Sequence, residues 1–151
     1  MYWVRKDKIG GSQIPSNLED VRDWKRRGVK KVLVLAEEWE IEEVWGSVDY
    51  YFQLLREEGF RVLHLPTPDG YPPTLEDFGR ALRWLDEGSN VVHCVAGKGR
   101  TGTVIAGYLL VKEGLNPEEA VEEVRRYRPN AVDSVQQLLF LYKLRELNLG
   151  K

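Results

Sequence analysis

Between positions 92 and 102 the chain reads Val92-His93-Cys94-Val95-Ala96-Gly97-Lys98-Gly99-Arg100-Thr101-Gly102, and Cys94 is its single cysteine. A short β-branched run precedes this segment and a small-residue, helix-prone run follows it. The turn therefore lies at a helix N-terminus, where backbone N–H groups lack partners. Gly97 and Gly99 permit positive φ, so the N–H groups of Val95, Ala96, Gly97, Lys98 and Gly99 can converge on one point. That makes an anion cradle suited to phosphate. Arg100 can close over the bound anion with two parallel hydrogen bonds. Such a setting favours the thiolate form of a cysteine, which is the nucleophilic form. A thiolate aimed at a held phosphorus can carry out in-line displacement. Thr101 can donate its hydroxyl to the sulfur, which matters once that sulfur must leave. Lys98 is followed by Gly99 rather than Ser or Thr, so this is not a nucleotide-binding loop. The competing reading is a buried structural cysteine in a glycine turn. The strand before, the glycines within, and Thr101-Gly102 leading a helix favour chemistry.

An aryl oxide departs faster when a proton reaches its oxygen, and general acids typically supply about 10²–10⁴-fold. The donor belongs on a loop able to close over the cradle. Leu65-Pro66-Thr67-Pro68-Asp69-Gly70-Tyr71-Pro72-Pro73 combines proline stiffness with a glycine pivot. Asp69 is the candidate acid there; the alternative is a carboxylate that only bonds the turn's own backbone. Tyr71 beside it could face a substrate ring.

The elements around these loops follow from periodicity. Lys31–Ala36, Arg61–Leu65 and Asn90–Cys94 read as buried strands. Ser16 and Glu19 form a capping box opening a helix to about Arg27, stopped by Gly28. Further helices are expected from about Val48 to Gly59 and from a Thr74 cap, with Phe78, Leu82 and Leu85 on one face. Beyond the last strand only helices follow: Thr101–Lys112 stopped by Gly114, one opened by Asn116-Pro117-Glu118-Glu119, and one from about Ser134 to Leu147. Strand–helix alternation followed by helices implies a single α/β domain over residues 1–151, a mainly parallel central sheet flanked by helices. Ligands bind beyond the C-terminal ends of such strands, which is where the Cys94 and Asp69 loops lie.

His93 to Gly102 resembles the His-Cys-x5-Arg-(Ser/Thr)-Gly signature of the cysteine-dependent protein tyrosine and dual-specificity phosphatases. The similarity extends over nearly the whole chain, and is greatest to small archaeal tyrosine phosphatases. It implies a phosphocysteine intermediate on Cys94, Asp69 as the general acid of the family's Trp-Pro-Asp loop with Thr67 in place of the Trp, and no metal or other cofactor. Arg128 to Gln137 resembles the family's glutamine loop, in which two glutamines four apart place the hydrolytic water. Here Asp133 takes the first position and Gln137 the second, and Gln137 equally suits a capping box with Ser134. The run Glu37-Glu38-Trp39-Glu40-Ile41-Glu42-Glu43 reads as solvated surface; its place resembles the loop whose Glu steadies the signature Arg, without saying which Glu. His93 can orient the Cys94 loop by hydrogen bonding, and His64 is structural.

Composition narrows the class. Hydrophobic residues at 42% and charged residues at 30% suit a globular chain, not a disordered one. With 22 basic and 24 acidic residues the net charge is −2, so there is no general pull toward nucleic acid or anionic lipid. No apolar run approaches membrane-spanning length, and Met1-Tyr2-Trp3-Val4-Arg5 is no signal peptide. The expectation is a cytoplasmic, monomeric, metal-independent phosphatase acting on phosphotyrosine in a protein or peptide, with phosphoserine and phosphothreonine as further substrates. The alternatives are a phosphoinositide or RNA 5′-phosphatase, or a phosphate-binding module without turnover.

Overall fold

The computed structural model describes residues 1–147. Five strands, β1 (Tyr2–Arg5), β2 (Ile9–Ser12), β3 (Lys31–Val34), β4 (Arg61–His64) and β5 (Asn90–His93), form one sheet in the order β1-β2-β5-β3-β4. The β1–β2 hairpin is antiparallel, and every other pairing is parallel. Central β5 is flanked on both sides, with Asn90 opposite both Ile9 and Lys31, and His93 opposite both Ser12 and Val34. Cys94 thus leaves the sheet from its best-supported strand. The ladder continues past it, with Leu35 N–H donating to His93 O (2.8 Å) and Ile14 N–H to Val95 O (3.0 Å).

Alternation along the strands divides the core. Val32, Val34 and Val91 face Trp24 of α1 (Leu18–Arg26), Ile41 of α2 (Glu38–Trp45), and Tyr51 and Leu55 of α3 (Val48–Glu57). Leu33, Leu35 and Val92 face α4 (Leu75–Leu85), α5 (Gly99–Glu113), α6 (Pro117–Arg125) and α7 (Val135–Leu147). Helix α5 is buried from Gly99 to Leu110, which explains its lack of a polar face. The Thr74 and Asn116 caps and the left-handed stop at Gly114 (φ 72°) are as their sequences require.

Three local features differ from expectation. The first helix is capped by Asn17, whose side chain accepts from Asp20 N–H, while Ser16 lies one residue outside and binds the Asp20 carboxylate. Helix α5 starts inside the catalytic loop at Gly99 rather than at Thr101. The acidic run is a helix with Glu40 and Ile41 buried, because Glu37 and Glu40 form a capping box and Ile41 enters the core. The β1–β2 hairpin was not foreseeable from β-propensity, since β2 reads Ile9-Gly10-Gly11-Ser12. The glycines are needed there: a side chain at Gly10 would strike the Tyr2 carbonyl, and one at Gly11 the Tyr2 phenol. No helix among the described residues is long and apolar enough to cross a membrane.

Candidate active site

Cys94 lies buried at the end of β5. Its Sγ receives two hydrogen bonds, from Gly97 N–H (3.3 Å) and from the Thr101 hydroxyl (3.1 Å). Gly97 has φ 79°, and a Cβ there would come within 2.6 Å of the Ser12 carbonyl group. The loop therefore turns back hard against the end of β2. Tyr2 donates its hydroxyl to Gly97 O (2.7 Å). Burial, then the nearby Cys94 charge, pushes the Tyr2 phenol well above its ordinary range, so it remains a donor. Lys98 O accepts from Gly102 N–H (3.0 Å) and Val132 N–H (3.1 Å), tying the loop to α5 and to the segment before α7.

Beneath the loop, His93 is fully buried and bonds on both ring nitrogens. Nδ1 meets Cys94 O at 2.8 Å, and because a carbonyl only accepts, Nδ1 carries the proton. Nε2 then accepts from the Tyr51 hydroxyl (2.8 Å). Burial lowers the His93 pKa to about 4, against a smaller opposing effect of the Cys94 backbone bond, so the imidazole stays neutral. The sequence expectation of an orienting histidine holds, with Tyr51 as a partner that no local motif announced. His64 donates from Nε2 to Ala36 O (2.7 Å), a structural bond.

Arg100 is almost wholly buried. Its Nη1 donates to Glu40 Oε1 (2.8 Å) and Thr67 O (2.7 Å), and its Nη2 to Glu40 Oε2 (3.0 Å). Glu40 is thus the acidic residue that holds the arginine. Burial alone would raise its pKa, but bonds from Arg100 and the Glu37 backbone, with the Arg100 charge, keep it below the ordinary carboxylate range. Burial likewise works against the Arg100 charge, and Glu40, Cys94 and Asp69 outweigh it. The buried Arg100 Nε has no hydrogen-bond partner among the described residues, and Asp69 Oδ1 stands 3.8 Å from it. Three of the five guanidinium N–H groups are thus committed, and Nε, beside the Asp69 carboxyl, remains available together with the second N–H of Nη2.

Asp69 occupies a tight turn closed by Tyr71 N–H to Pro68 O (3.1 Å), with Gly70 at φ 84° as a type II turn requires at its third position. Its side chain is 80% exposed. Gln137 is fully buried. Its Oε1 accepts from Asp133 N–H (2.9 Å), its backbone N–H donates to Ser134 Oγ (3.1 Å), and its Nε2 has no partner among the described residues. It serves the helix start while keeping one buried donor. The Asp133 carboxylate lies against Gly99, where a side chain would collide with it. Among the described residues no group of three or more His, Cys, Asp or Glu could hold a metal ion.

The structure therefore brings Cys94, Arg100, Thr101 and Asp69 to one place, with Val95, Ala96, Gly97, Lys98 and Gly99 as the intervening backbone. Residues 1–148 match the family model of the Swiss Army Knife DSP-PTPase phosphatase domain. The chain belongs to this DSP-PTPase family. Protein tyrosine phosphatase type IVA 3 of Mus musculus is 33% identical over 132 residues, 83% of this chain and 69% of that protein. The crystal structure of Tk-PTP in a mutant form superposes with a TM-score of 0.83 at 33% identity, covering 97% of this chain and 95% of that one. Its active form gives 0.78 at 34% identity, covering 92% of each chain. The fold also matches PTPMT1 in complex with PI(5)P, with a TM-score of 0.82 at 23% identity, covering 96% of this chain and 94% of that one. Like other DSP-PTPase domains, this one is a phosphatase with its single cysteine in the signature loop. Residues the sequence did not single out are Tyr2, Tyr51 and the particular glutamate Glu40, while Ser134 was legible only as a helix cap for Gln137. Glu40 also had a local signal, its spacing of three from the capping Glu37.

Proposed function

We propose that this DSP-PTPase hydrolyses phosphotyrosine in proteins or peptides through a phosphocysteine on Cys94. The observation that carries the reading is the buried Cys94 sulfur with two donors on it, beside an arginine clamped by Glu40 that keeps Nε free. The phosphate dianion sits on the loop amides and Arg100 Nε. The thiolate attacks phosphorus, the P–O bond to the aryl oxygen breaks, and Asp69 supplies that oxygen's proton. Asp69, now a carboxylate, takes a proton from water as the water attacks the phosphocysteine. Gln137 Nε2 is the donor suited to orient that water, and Thr101 stabilises the departing thiolate. The burial of Cys94 favours an aryl ester, whose ring reaches where a short alkyl ester does not.

Steady-state hydrolysis of phenyl phosphate in the presence of a chelator tests turnover and metal independence together. Activity should persist, and Cys94→Ser should reduce it below about 1% of the parent while phosphate-ester binding survives. Binding without turnover in the parent would leave only a phosphate-binding module. A phosphoinositide or RNA 5′-phosphatase would need additional cations for its extra charges, and Lys98 is the single lysine in the loop. Lys98→Ala should therefore alter phosphotyrosine-peptide turnover only modestly. A parent that prefers an inositol lipid, and loses that preference in Lys98→Ala, would replace the tyrosine assignment.

A further inference from the structure

Among the described residues the Asp69 side chain makes no hydrogen bond, only a 3.8 Å approach to Arg100 Nε, so the turn that carries it is placed through its backbone. Thr67 N–H, donating to Leu35 O (2.9 Å), anchors its start beside the sheet, and two further bonds hold it over the site. Arg100 Nη1 holds Thr67 O from one side (2.7 Å), and the Ser134 hydroxyl holds Gly70 O from the other (2.6 Å). Ser134 lies 64 residues away, immediately before α7. Its oxygen accepts from Gln137 N–H (3.1 Å) while its proton goes to Gly70 O, so one hydroxyl both caps the helix and latches the acid loop. A single atom close to the backbone both accepts and donates here, which is what the hydroxyl of Ser or Thr supplies.

We propose that Ser134 is a positioning residue for the general acid, fixing the Asp69 turn over the phosphate by its bond to Gly70 O. This rests on the reading of Asp69 as the acid. Proton transfer demands that the carboxyl stand within hydrogen-bond reach of the leaving oxygen, and the turn is stiff between Pro68 and the glycine. Release of Gly70 O lets the turn lift away from Arg100. The phosphate cradle contains no atom of Ser134, so substrate capture is untouched. The helix cap and the acid also share this hydroxyl, which couples the Gln137 end of the site to the Asp69 end.

The test separates cap from latch. Ser134→Asp keeps an acceptor for Gln137 N–H, a good cap, but cannot donate to Gly70 O; Ser134→Thr keeps both functions. The measurement is kcat/KM on phenyl phosphate and on 2,4-dinitrophenyl phosphate, whose leaving group needs no proton, with Asp69→Asn as reference. Asp69→Asn should lose far more on the phenyl ester than on the dinitrophenyl ester. Equal losses there would remove Asp69 as the acid and this inference with it. Given that split, Ser134→Asp should show the same split at smaller size, roughly tenfold on the phenyl ester for a turn misplaced by part of an ångström. Ser134→Thr should match the parent. Adding Ser134→Asp to Asp69→Asn should cost nothing more on the phenyl ester, since the acid it would position is gone. If Ser134→Asp lowers both esters alike or neither, or if its loss adds in full to that of Asp69→Asn, Ser134 is only a helix cap. Should Ser134→Asp melt early, the same cycle measured below its transition still decides, because instability does not distinguish the two esters.

Discussion

The two sides of the site are built differently. On the anion side, Arg100 is 3% exposed in its side chain, paired to a buried glutamate and bonded to a backbone carbonyl. Cys94 and His93 beside it are likewise buried and bonded. On the acid side, the Asp69 side chain is 80% exposed and its turn is held from outside by backbone bonds at Thr67 N–H, Thr67 O and Gly70 O. The group that must always be charged and in place is set in the interior, where moving it would strand a charge. The group we propose to give up and recover a proton faces water on a turn held by a few backbone bonds. Substitutions on the anion side should therefore disturb fold and function together, and those on the acid side function alone.

The strongest test of that contrast is Glu40→Ala. It leaves Arg100 buried without its carboxylate, and breaking such a pair typically costs about 3–5 kcal/mol. We expect both a large fall in the unfolding midpoint and a loss of kcat/KM of about 10²-fold or more. Normal stability with lost activity would mean that Arg100 does not need Glu40 to fold. Asp69→Asn comes next, with a loss on phenyl phosphate of about 10²-fold or more and an unfolding midpoint close to the parent's. A marked fall in that midpoint would contradict the picture of a weakly tethered acid.

Smaller effects grade the anion side. Tyr2→Phe removes one bond to Gly97 O, worth about 1 kcal/mol, and should lower kcat/KM by roughly threefold to tenfold on every ester alike. A loss confined to poor leaving groups would place Tyr2 with the acid instead. His93 contributes to pH dependence. Its folded pKa of about 4 lies below the ordinary 6.5, so as pH falls the unfolded chain takes up the proton first. The stability it supports is full above about 6.5 and declines as pH drops toward 4, by on the order of 3 kcal/mol. Glu40, held low, gives way only below the ordinary carboxylate value of 4.5. Urea unfolding across that range should show a slope between pH 6.5 and 4.5 that His93→Asn reduces. An unchanged slope would mean that His93 is not the titrating group.

What was legible in the sequence was local. The signature loop encodes its own geometry, since Gly97 is demanded by its positive φ and Thr101 stands where the next helix turn returns it to the sulfur. The strands around it are short β-branched runs that need no partner to be recognised. Pairings across long separations were not legible. Glu37, Glu38, Glu40, Glu42 and Glu43 look alike in a row, and only the direction of α2 against the sheet selects Glu40 for Arg100. Ser16 and Asn17 are both good caps, and the choice depended on which one took an extended conformation. Tyr2 reaches the site from 95 residues away in the chain with nothing nearby to mark it, and Ser134, legible as a helix cap, gave no sign of its bond to Gly70 O 64 residues away. The hairpin carries no propensity signal because its glycines are demanded by the Tyr2 carbonyl and the Tyr2 phenol rather than by strand preference.

Tyr2 also ties an edge of the sheet to its chemistry. Among the described residues strand β1 has one neighbour, and an edge strand with a single partner frays at less cost than the strands inside. Each fraying event withdraws the phenol from Gly97. On gradual warming, the catalytic rate should therefore begin to sag and recover reversibly while the helices, monitored by circular dichroism, are still intact. The temperature at which the rate first begins to fall would then be set by four residues at the rim of the sheet rather than by the core beneath the cysteine.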